Sequence, residues 1–236
     1  MINNIFNILN IFIFKMYLDI ISKDEINYAH IVSNLRSPHN IILSTKDYFI
    51  FYVPETDYYY VECDDKSGKE DEVINKMKEL GFNYLSTTNE KISQSLPSKY
   101  SEPYIQYIYT SDTIKESESK LVLLKNDDLD YVKETYGKPE YVDEVQQKKK
   151  IWALYENNNL IGYVMEHLDG TTGGLYVKPE FRKKGYGYIL LKEGFSKVTK
   201  FVRHSQVALD NIASIKLHEK LNCVKADITI YWNWNK

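Results

Sequence analysis

The stretch Gly173–Leu191, GGLYVKPEFRKKGYGYILL, decides how the rest of the chain is read. Leu175, Tyr176 and Val177 suit an extended, buried run, and Pro179 ends it because proline cannot donate to a sheet ladder. Arg182, Gly185 and Gly187 follow at the spacing R-x-x-G-x-G, directly before an apolar segment compatible with a helix. Such a loop leaves main-chain N–H groups unpaired at the positive end of a helix dipole. The missing side chains of Gly185 and Gly187 let a bulky anion approach the backbone, and Arg182, Lys183 and Lys184 add formal positive charge. Together these parts make a pyrophosphate cradle. The plainer reading is a solvated basic turn capping a sheet. The strand before it, the helix after it and matching pieces further on favour the cradle.

The chain of 236 residues is long enough for one large domain or two of ordinary size. Hydrophobic residues make up 43%, enough to build a core and to exclude global disorder. A net charge of −3 with no long basic tract argues against nucleic acid as a partner. Cys63 and Cys223 lie far apart, so neither a disulfide framework nor a metal site is expected, and both read as thiols in a reducing compartment. The opening MINNIFNILNIFIF is too short to span a bilayer and is interrupted by Asn4, Asn7 and Asn10. It lacks the basic start and small-residue cleavage site of a secretory signal, and the Arg and Ser of a mitochondrial presequence. An amphipathic N-terminal helix or an upstream extension on a soluble chain is expected. Cytoplasm is the expected compartment, with the mitochondrion as the alternative.

Tyr17 to Leu35 patterns as a helix ending before Pro38. IILSTKDYFIFYVP and DYYYVEC, rich in β-branched and aromatic residues, make a hairpin or meander. Glu70 to Leu80 reads as a helix with acidic residues in its first turn and Gly81 as its stop. Phe82 to Leu85 and Tyr104 to Tyr109 read as strands, the second set between the polar runs SQSLPSKYS and SDTIKESES. The low periodicity of Ser111 to Ser119 places a domain boundary there, giving a first domain of 1–119 and a second of 120–236. The second half reads strand, two short helices, three strands ending in LYV, the helix after Gly187, a strand at Gln206 to Leu209, a helix capped by Asp210 or Asn211, and a closing strand. That is an α/β chain with a mixed sheet and helices packed on it. The first half repeats part of this order, with KELGF before a strand where the second has EKLNC, so it reads as a smaller, degenerate copy.

V-x-P-x-x-R-x-x-G-x-G after a strand, followed by N-x-x-S-x-x-L-H-E-K-L, resembles the acyl-CoA-binding core of the GNAT acyltransferase superfamily. IWALYENNNLIGYVMEH, LYVKPEFRKKGYG and the terminal WNWNK are similar to the glycine N-acyltransferase branch. The resemblance covers Leu121 to Lys236 closely and the first half loosely. It implies a GNAT fold for the C-terminal half and acyl-CoA as co-substrate, with no metal. The pantetheine would run alongside Leu175, Tyr176 and Val177. The pyrophosphate would sit on the backbone of Arg182, Lys183, Lys184, Gly185, Tyr186 and Gly187. Asn211 and Ser214 match family positions near the pantetheine and thioester; as plain structure they are an N-cap and a small helix-packing residue. The other partner would be a small amine, glycine or a similar acceptor. An acetyltransferase for a polyamine or a protein N-terminus, and a catalytically degenerate acyl-CoA-binding protein, are the competing expectations.

Acyl transfer from a thioester to an amine needs a proton acceptor for the amine, main-chain donors for the oxyanion and an acid for the departing thiolate. Gly173-Gly174 is where a strand bulge offering such donors would be cheap. Many relatives carry a tyrosine acid on the last helix, in the slot filled here by His218, whose imidazole titrates near neutrality. Where relatives have a carboxylate early in the strand, this chain has Thr171 and Thr172, leaving His167, then Glu166, then Asp169 as candidate bases. Alternation puts Glu166 and His167 on opposite faces of the sheet. Each of these residues also has a purely structural reading, and bound water is an alternative base.

Overall fold

The computed structural model describes residues 21, 24–35, 38–111, 118–198 and 202–235. The opening apolar run, the first part of the helix expected from Tyr17 and most of the Ser111–Ser119 boundary lie outside them. In chain order the elements are α1 (Glu25–Leu35), β1 (Asn40–Ser44), β2 (Tyr48–Val53), β3 (Tyr58–Cys63), α2 (Glu70–Leu80), β4 (Tyr84–Thr87), α3 (Glu90–Ser95) and β5 (Tyr100–Ile108). There follow β6 (Val122–Leu123), α4 (Leu129–Tyr136), α5 (Pro139–Gln147), β7 (Ile151–Glu156), β8 (Asn159–Glu166), β9 (Thr172–Val177), α6 (Tyr186–Lys197), β10 (His204–Ala208), α7 (Ile212–Lys220) and β11 (Val224–Trp234). The strands form a sheet ordered β1-β2-β3-β4-β11-β5-β10 and a second ordered β6-β7-β8-β9. The expected mixed α/β architecture is therefore present. The sequence β-β-β-α-β-α-β occurs twice, as β1 to β5 and as β7 to β11.

By main-chain contacts the chain divides into two units. One runs to Gln106 and adds Val207–Asp210 and the segment from Lys225; the other is Tyr107–Gln206 with Asn211–Val224. The closing strand thus joins the first unit, although sequence places it with residues 120–236. The cause is its ladder: β11 pairs antiparallel with β4, from Tyr231 opposite Thr87 to Trp234 opposite Tyr84.

In the first unit β1, β2 and β3 form an antiparallel meander, and β4 lies parallel to β3. A parallel partner needs a crossover, which α2 supplies. Val73, Ile74 and Met77 bury the inner face of α2, Glu70, Asp71 and Glu72 occupy its first turn, and Gly81 ends it at φ 67°. Sequence reading missed α3, because six residues in a polar, serine-rich run show no helical period. It starts where the Asn89 side chain accepts from Ile92 N–H at 2.9 Å.

In the second unit the antiparallel sheet β6 to β9 is covered on both faces. Val132, Val142 and Val145 of α4 and α5 pack on Ile151, Ala153 and Met165. On the other face Leu190 of α6 meets Leu154, Ile161 and Val164, with Leu175 and Val177 against them. The period of two along β7 and β8 assigns these faces. Between Tyr163 opposite Tyr176 and Met165 opposite Gly173 the register slips, so that Val164 faces both Gly174 and Leu175. This is a β-bulge, with Gly174 at φ 55°. It falls on the glycine pair where sequence expects it, and it turns Leu175 onto the α6 face.

Glu193 anchors the start of this unit. Its buried carboxylate accepts from Ser119 Oγ at 2.9 Å, Lys120 N–H at 2.6 Å and Leu121 N–H at 3.2 Å. Glu193→Ala leaves these donors without their acceptor, and we expect a loss of about 2–3 kcal/mol in denaturant unfolding. Glu193→Gln keeps an acceptor oxygen and should lose clearly less. Equal losses would show that the carboxylate only fills space.

Candidate functional site

The loop after β9 is built by successive local bonds. Lys178, Pro179, Glu180 and Phe181 make a tight turn in which Phe181 N–H reaches Lys178 O at 2.9 Å and Arg182 N–H reaches Pro179 O at 3.2 Å. Arg182 Nε donates back to Val177 O at 3.0 Å, with its guanidinium 5.4 Å from the Tyr176 ring centroid. Lys183 sits at φ 61°, and Gly185, at φ 89°, is the N-cap of α6. The first donors of α6 to find partners are Tyr188 and Ile189, bonded to Gly185 O at 3.0 and 3.3 Å. The amides of Tyr186 and Gly187 precede them and have no acceptor within the helix.

Arg182, Lys183 and Lys184 are exposed beside those amides. A Cβ built on Gly187 would stand 3.6 Å from Leu217 and 3.9 Å from Val177, ordinary contacts, so the space over this glycine lies on its outward side. The residues therefore fit a bulky anion. The loop ahead of α2 in the first unit has the opposite balance: Asp64, Asp65, Glu70, Asp71 and Glu72 stand there with only Lys66 and Lys69 against them.

α6 runs back along β9. Gly187 lies against Val177, while a Cβ on Gly194 would meet Thr172 Cγ2 at 3.4 Å. From Gly187 to Gly194 the helix rises about 10 Å. α7 lies beside it, with Leu217 near Gly187 and Lys220 over the Tyr188 ring at 5.6 Å. The Asn211 side chain caps α7 by accepting from Ser214 N–H at 3.1 Å. One turn on, His218 Nδ1 is 2.8 Å from Ser214 O and 3.5 Å from Ser214 Oγ. Since a carbonyl oxygen only accepts, Nδ1 carries the proton and Nε2 a lone pair. His218 is 3% exposed, stacked on Tyr107 of β5 at 4.9 Å and edge-on to Phe195 at 6.2 Å. Burial lowers its pKa, partly offset by the bond to Ser214, and keeps the ring neutral.

The candidate bases lie elsewhere in the same unit, at the β8–β9 turn. Glu166 is fully buried and bonded to Lys150 Nζ at 2.5 Å. His167 Nδ1 is 2.8 Å from the Tyr141 hydroxyl, and its Nε2 lies so close over Gly173 that a Cβ there would come within 2.6 Å. Burial lowers the His167 pKa, Lys138 adds to that, and Asp169 and Glu166 oppose it. Asp169 bonds Thr171 N–H at 3.0 Å and Thr171 Oγ1 at 2.7 Å, closing the turn. His167 thus stands on the α4–α5 face of β9 and His218 on the α6–α7 side, so the candidate bases and His218 do not form one cluster. Sequence reading missed Lys150, Tyr141 and Tyr107, each of which reaches its partner from a distant element and carries no local pattern.

On the α4–α5 face, Tyr176 stacks on Tyr163 at 5.6 Å and meets Tyr131 edge-on at 6.1 Å, and Lys178 lies 4.5 Å over the Tyr131 ring. Among the described residues no group of three or more His, Cys, Asp or Glu is placed to hold a metal ion, and no helix is long and apolar enough to cross a membrane.

The sheet bulge, the glycine-capped helix after it and the second helix laid alongside belong to a mixed α/β fold of GNAT type. Residues 114–222, a little under half of the chain, match the model of the Acetyltransferase (GNAT) family. A Drosophila protein of known structure shares 12% identity over 93% of this chain and 86% of its own, with a TM-score of 0.58. A GCN5-related N-acetyltransferase from Kribbella flavida shares 10% identity over 90% of this chain and 95% of its own, with a TM-score of 0.53. A functionally unknown conserved protein from Staphylococcus epidermidis shares 14% over 84% and 94%, with a TM-score of 0.52. At these identities the likeness is one of fold. No curated protein matches the chain.

Proposed function

We propose that this protein is an acyl-CoA-dependent N-acyltransferase that acylates the amino group of glycine or a similar small amine and releases CoA. The observation that carries the reading is the cradle: orphan amides at Tyr186 and Gly187 behind a left-handed Gly185, with three cations at its rim. Acyl-CoA supplies the activated thioester. Arg182 to Gly187 would hold its pyrophosphate, Leu175 to Val177 would flank the pantetheine, and Asn211 and Ser214 would stand beside its far end. The bulge at Gly174 frees strand amides from the ladder as donors for charge developing on the acyl oxygen. Of the candidate bases and acids, Glu166 is held by Lys150 and Asp169 by Thr171, which leaves His218 and His167 to handle protons.

Lys178 over Tyr131 and Arg182 over Tyr176 put positive charge beside the tyrosines of the α4–α5 face. That charge favours an acceptor bearing a carboxylate, such as an amino acid, over a polyamine. The test is free-thiol release on incubation with acyl-CoAs of several chain lengths and a panel of glycine, other amino acids, polyamines and a peptide. Release with glycine or a close analogue is expected. Release only with acetyl-CoA and the polyamine or peptide would move the acceptor class. Tight CoA binding in calorimetry without release would mean a degenerate acyl-CoA-binding protein, and no release with no binding would overturn the reading.

A further inference from the structure

Among the side-chain atoms of the second unit that are buried without a hydrogen-bond partner among the described residues are Tyr107 Oη, His218 Nε2 and Thr172 Oγ1. Buried polar groups are paired in the great majority of cases, so these mark a place for a water or for a polar group of a ligand. All three stand at one level of the fold. Thr172 touches the Gly194 turn of α6, and Phe195, next along, packs on the His218 ring, which stacks on Tyr107. That level is about 10 Å along α6 from Gly187. A pyrophosphate held at Gly187 would send its pantetheine arm in this direction, along β9 toward the bulge.

The two aromatic groups are also chemically complementary. The tautomer fixed by Ser214 O leaves His218 Nε2 an acceptor. The Tyr107 hydroxyl, 1% exposed and kept protonated by burial, is a donor. They do not satisfy each other, because the rings stack at an interplanar angle of 27°.

We propose that Tyr107 and His218 together receive the thioester end of the bound acyl-CoA, with His218 Nε2 carrying a proton both ways and Tyr107 donating a hydrogen bond without losing its own. This rests on the acyl-CoA reading above. As the C–N bond forms, His218 Nε2 takes the proton that the amine loses. As the C–S bond breaks, that proton passes from Nε2 to the sulfur, which leaves as the thiol, and His218 returns to its neutral tautomer. Atoms and charge balance with no further reactant. The acid slot of the last helix is thereby a base first and an acid second, and its hydrogen-bonding companion comes from β5 rather than from either helix.

The decisive measurement needs no turnover. In protein labelled with 15N-histidine, the His218 Nε2 resonance should shift on saturation with CoA and stay in place with desulfo-CoA, which lacks only the thiol. No shift with CoA, or the same shift with both, overturns the proposal. If calorimetry shows that CoA does not bind, the acyl-CoA reading itself has failed and the proposal falls with it; binding without the shift removes the proposal alone. In turnover, Tyr107→Phe should lower kcat about 100-fold, the scale of losing one preorganised donor, with KM for acyl-CoA within about threefold. Since the hydroxyl removed has no partner, the variant should melt no lower than wild type. An unchanged kcat in a folded Tyr107→Phe protein would equally overturn it.

Discussion

Gly187→Asp is expected to weaken CoA binding by at least about 100-fold, or nearly 3 kcal/mol, while the protein melts within a few degrees of wild type. The two halves of this expectation have separate causes. A Cβ at position 187 meets Leu217 and Val177 at 3.6 and 3.9 Å, distances that ordinary side chains adopt, so the fold has room for it. Aspartate in the first turn of a helix also interacts favourably with the helix dipole, which offsets any local cost. The same carboxylate adds a negative charge to the first turn of α6, beside the amides on which the proposed pyrophosphate would sit. Two like charges about 4 Å apart repel by about 4 kcal/mol near a protein surface, more than the predicted loss requires.

Gly187→Ala is the milder control and should lose affinity only through the narrowed approach. Gly185→Ala tests a different property. Nothing lies within 4 Å of its Cβ, but φ 89° is a conformation that alanine resists, so its cost should fall on stability and loop geometry together. Calorimetric titration with CoA, paired with thermal melting, reads both axes. An affinity for Gly187→Asp within about threefold of wild type would mean that the anion does not sit on these amides, and the cradle would have to be given up.

The geometry of the loop from Pro179 to Gly187 was legible in sequence because every device in it is local. Pro179 ends a strand, Gly185 takes a left-handed turn and the apolar residues after Gly187 make a helix, all within a few positions of one another. The same holds for the Asn211 cap and for the bulge at Gly174, where a glycine pair lowers the cost of a positive φ. What sequence could not show are partners brought from afar. Lys150 meets Glu166 across a strand pair, Tyr141 meets His167 from a helix, and Tyr107 meets His218 from a strand more than a hundred residues earlier. His218 was visible as a residue type in a telling slot, but its tautomer depends on Ser214 O, a main-chain atom that no motif records. The route of the closing strand was hidden for a related reason: CVKADITIYW reads as a strand wherever it pairs, and its pairing with β4 is a property of the sheet.

The first unit should lose stability as pH rises, and Glu62 should be the cause. This residue of DYYYVEC, a charged side chain in an aromatic strand, is only 5% exposed. It accepts from Thr88 N–H at 3.0 Å and from the Thr88 hydroxyl, with His30 Nε2 at 4.0 Å. Burial pushes its carboxyl from 4.5 up to about 8, against the pull of the two Thr88 bonds and with a further push from Asp65. A carboxyl whose folded pKa is raised binds its proton more tightly in the native state than in the unfolded one. Its stabilising contribution is therefore complete below about pH 4.5 and is lost as pH climbs through about 8.

Over that window the loss approaches about 5 kcal/mol at 1.36 kcal/mol per pH unit, enough to consume much of the stability of a small unit. Glu72, whose pKa the Tyr48 hydroxyl and Lys69 lower, contributes with the opposite sign, but only below the ordinary carboxylate range. Comparing pH 5.5 with pH 8.5 isolates Glu62 from it. Glu62→Gln keeps an acceptor for Thr88 N–H and a donor for the hydroxyl but cannot ionise. Its denaturant midpoint should be nearly flat across those pH values, while that of the wild type falls. The two curves should converge or cross toward pH 5.5, where the wild-type carboxyl is itself neutral in the fold. Parallel curves for the two proteins would mean that Glu62 is ionised throughout and compensated by its neighbours, and the burial of an uncharged carboxyl on β3 would have to be abandoned.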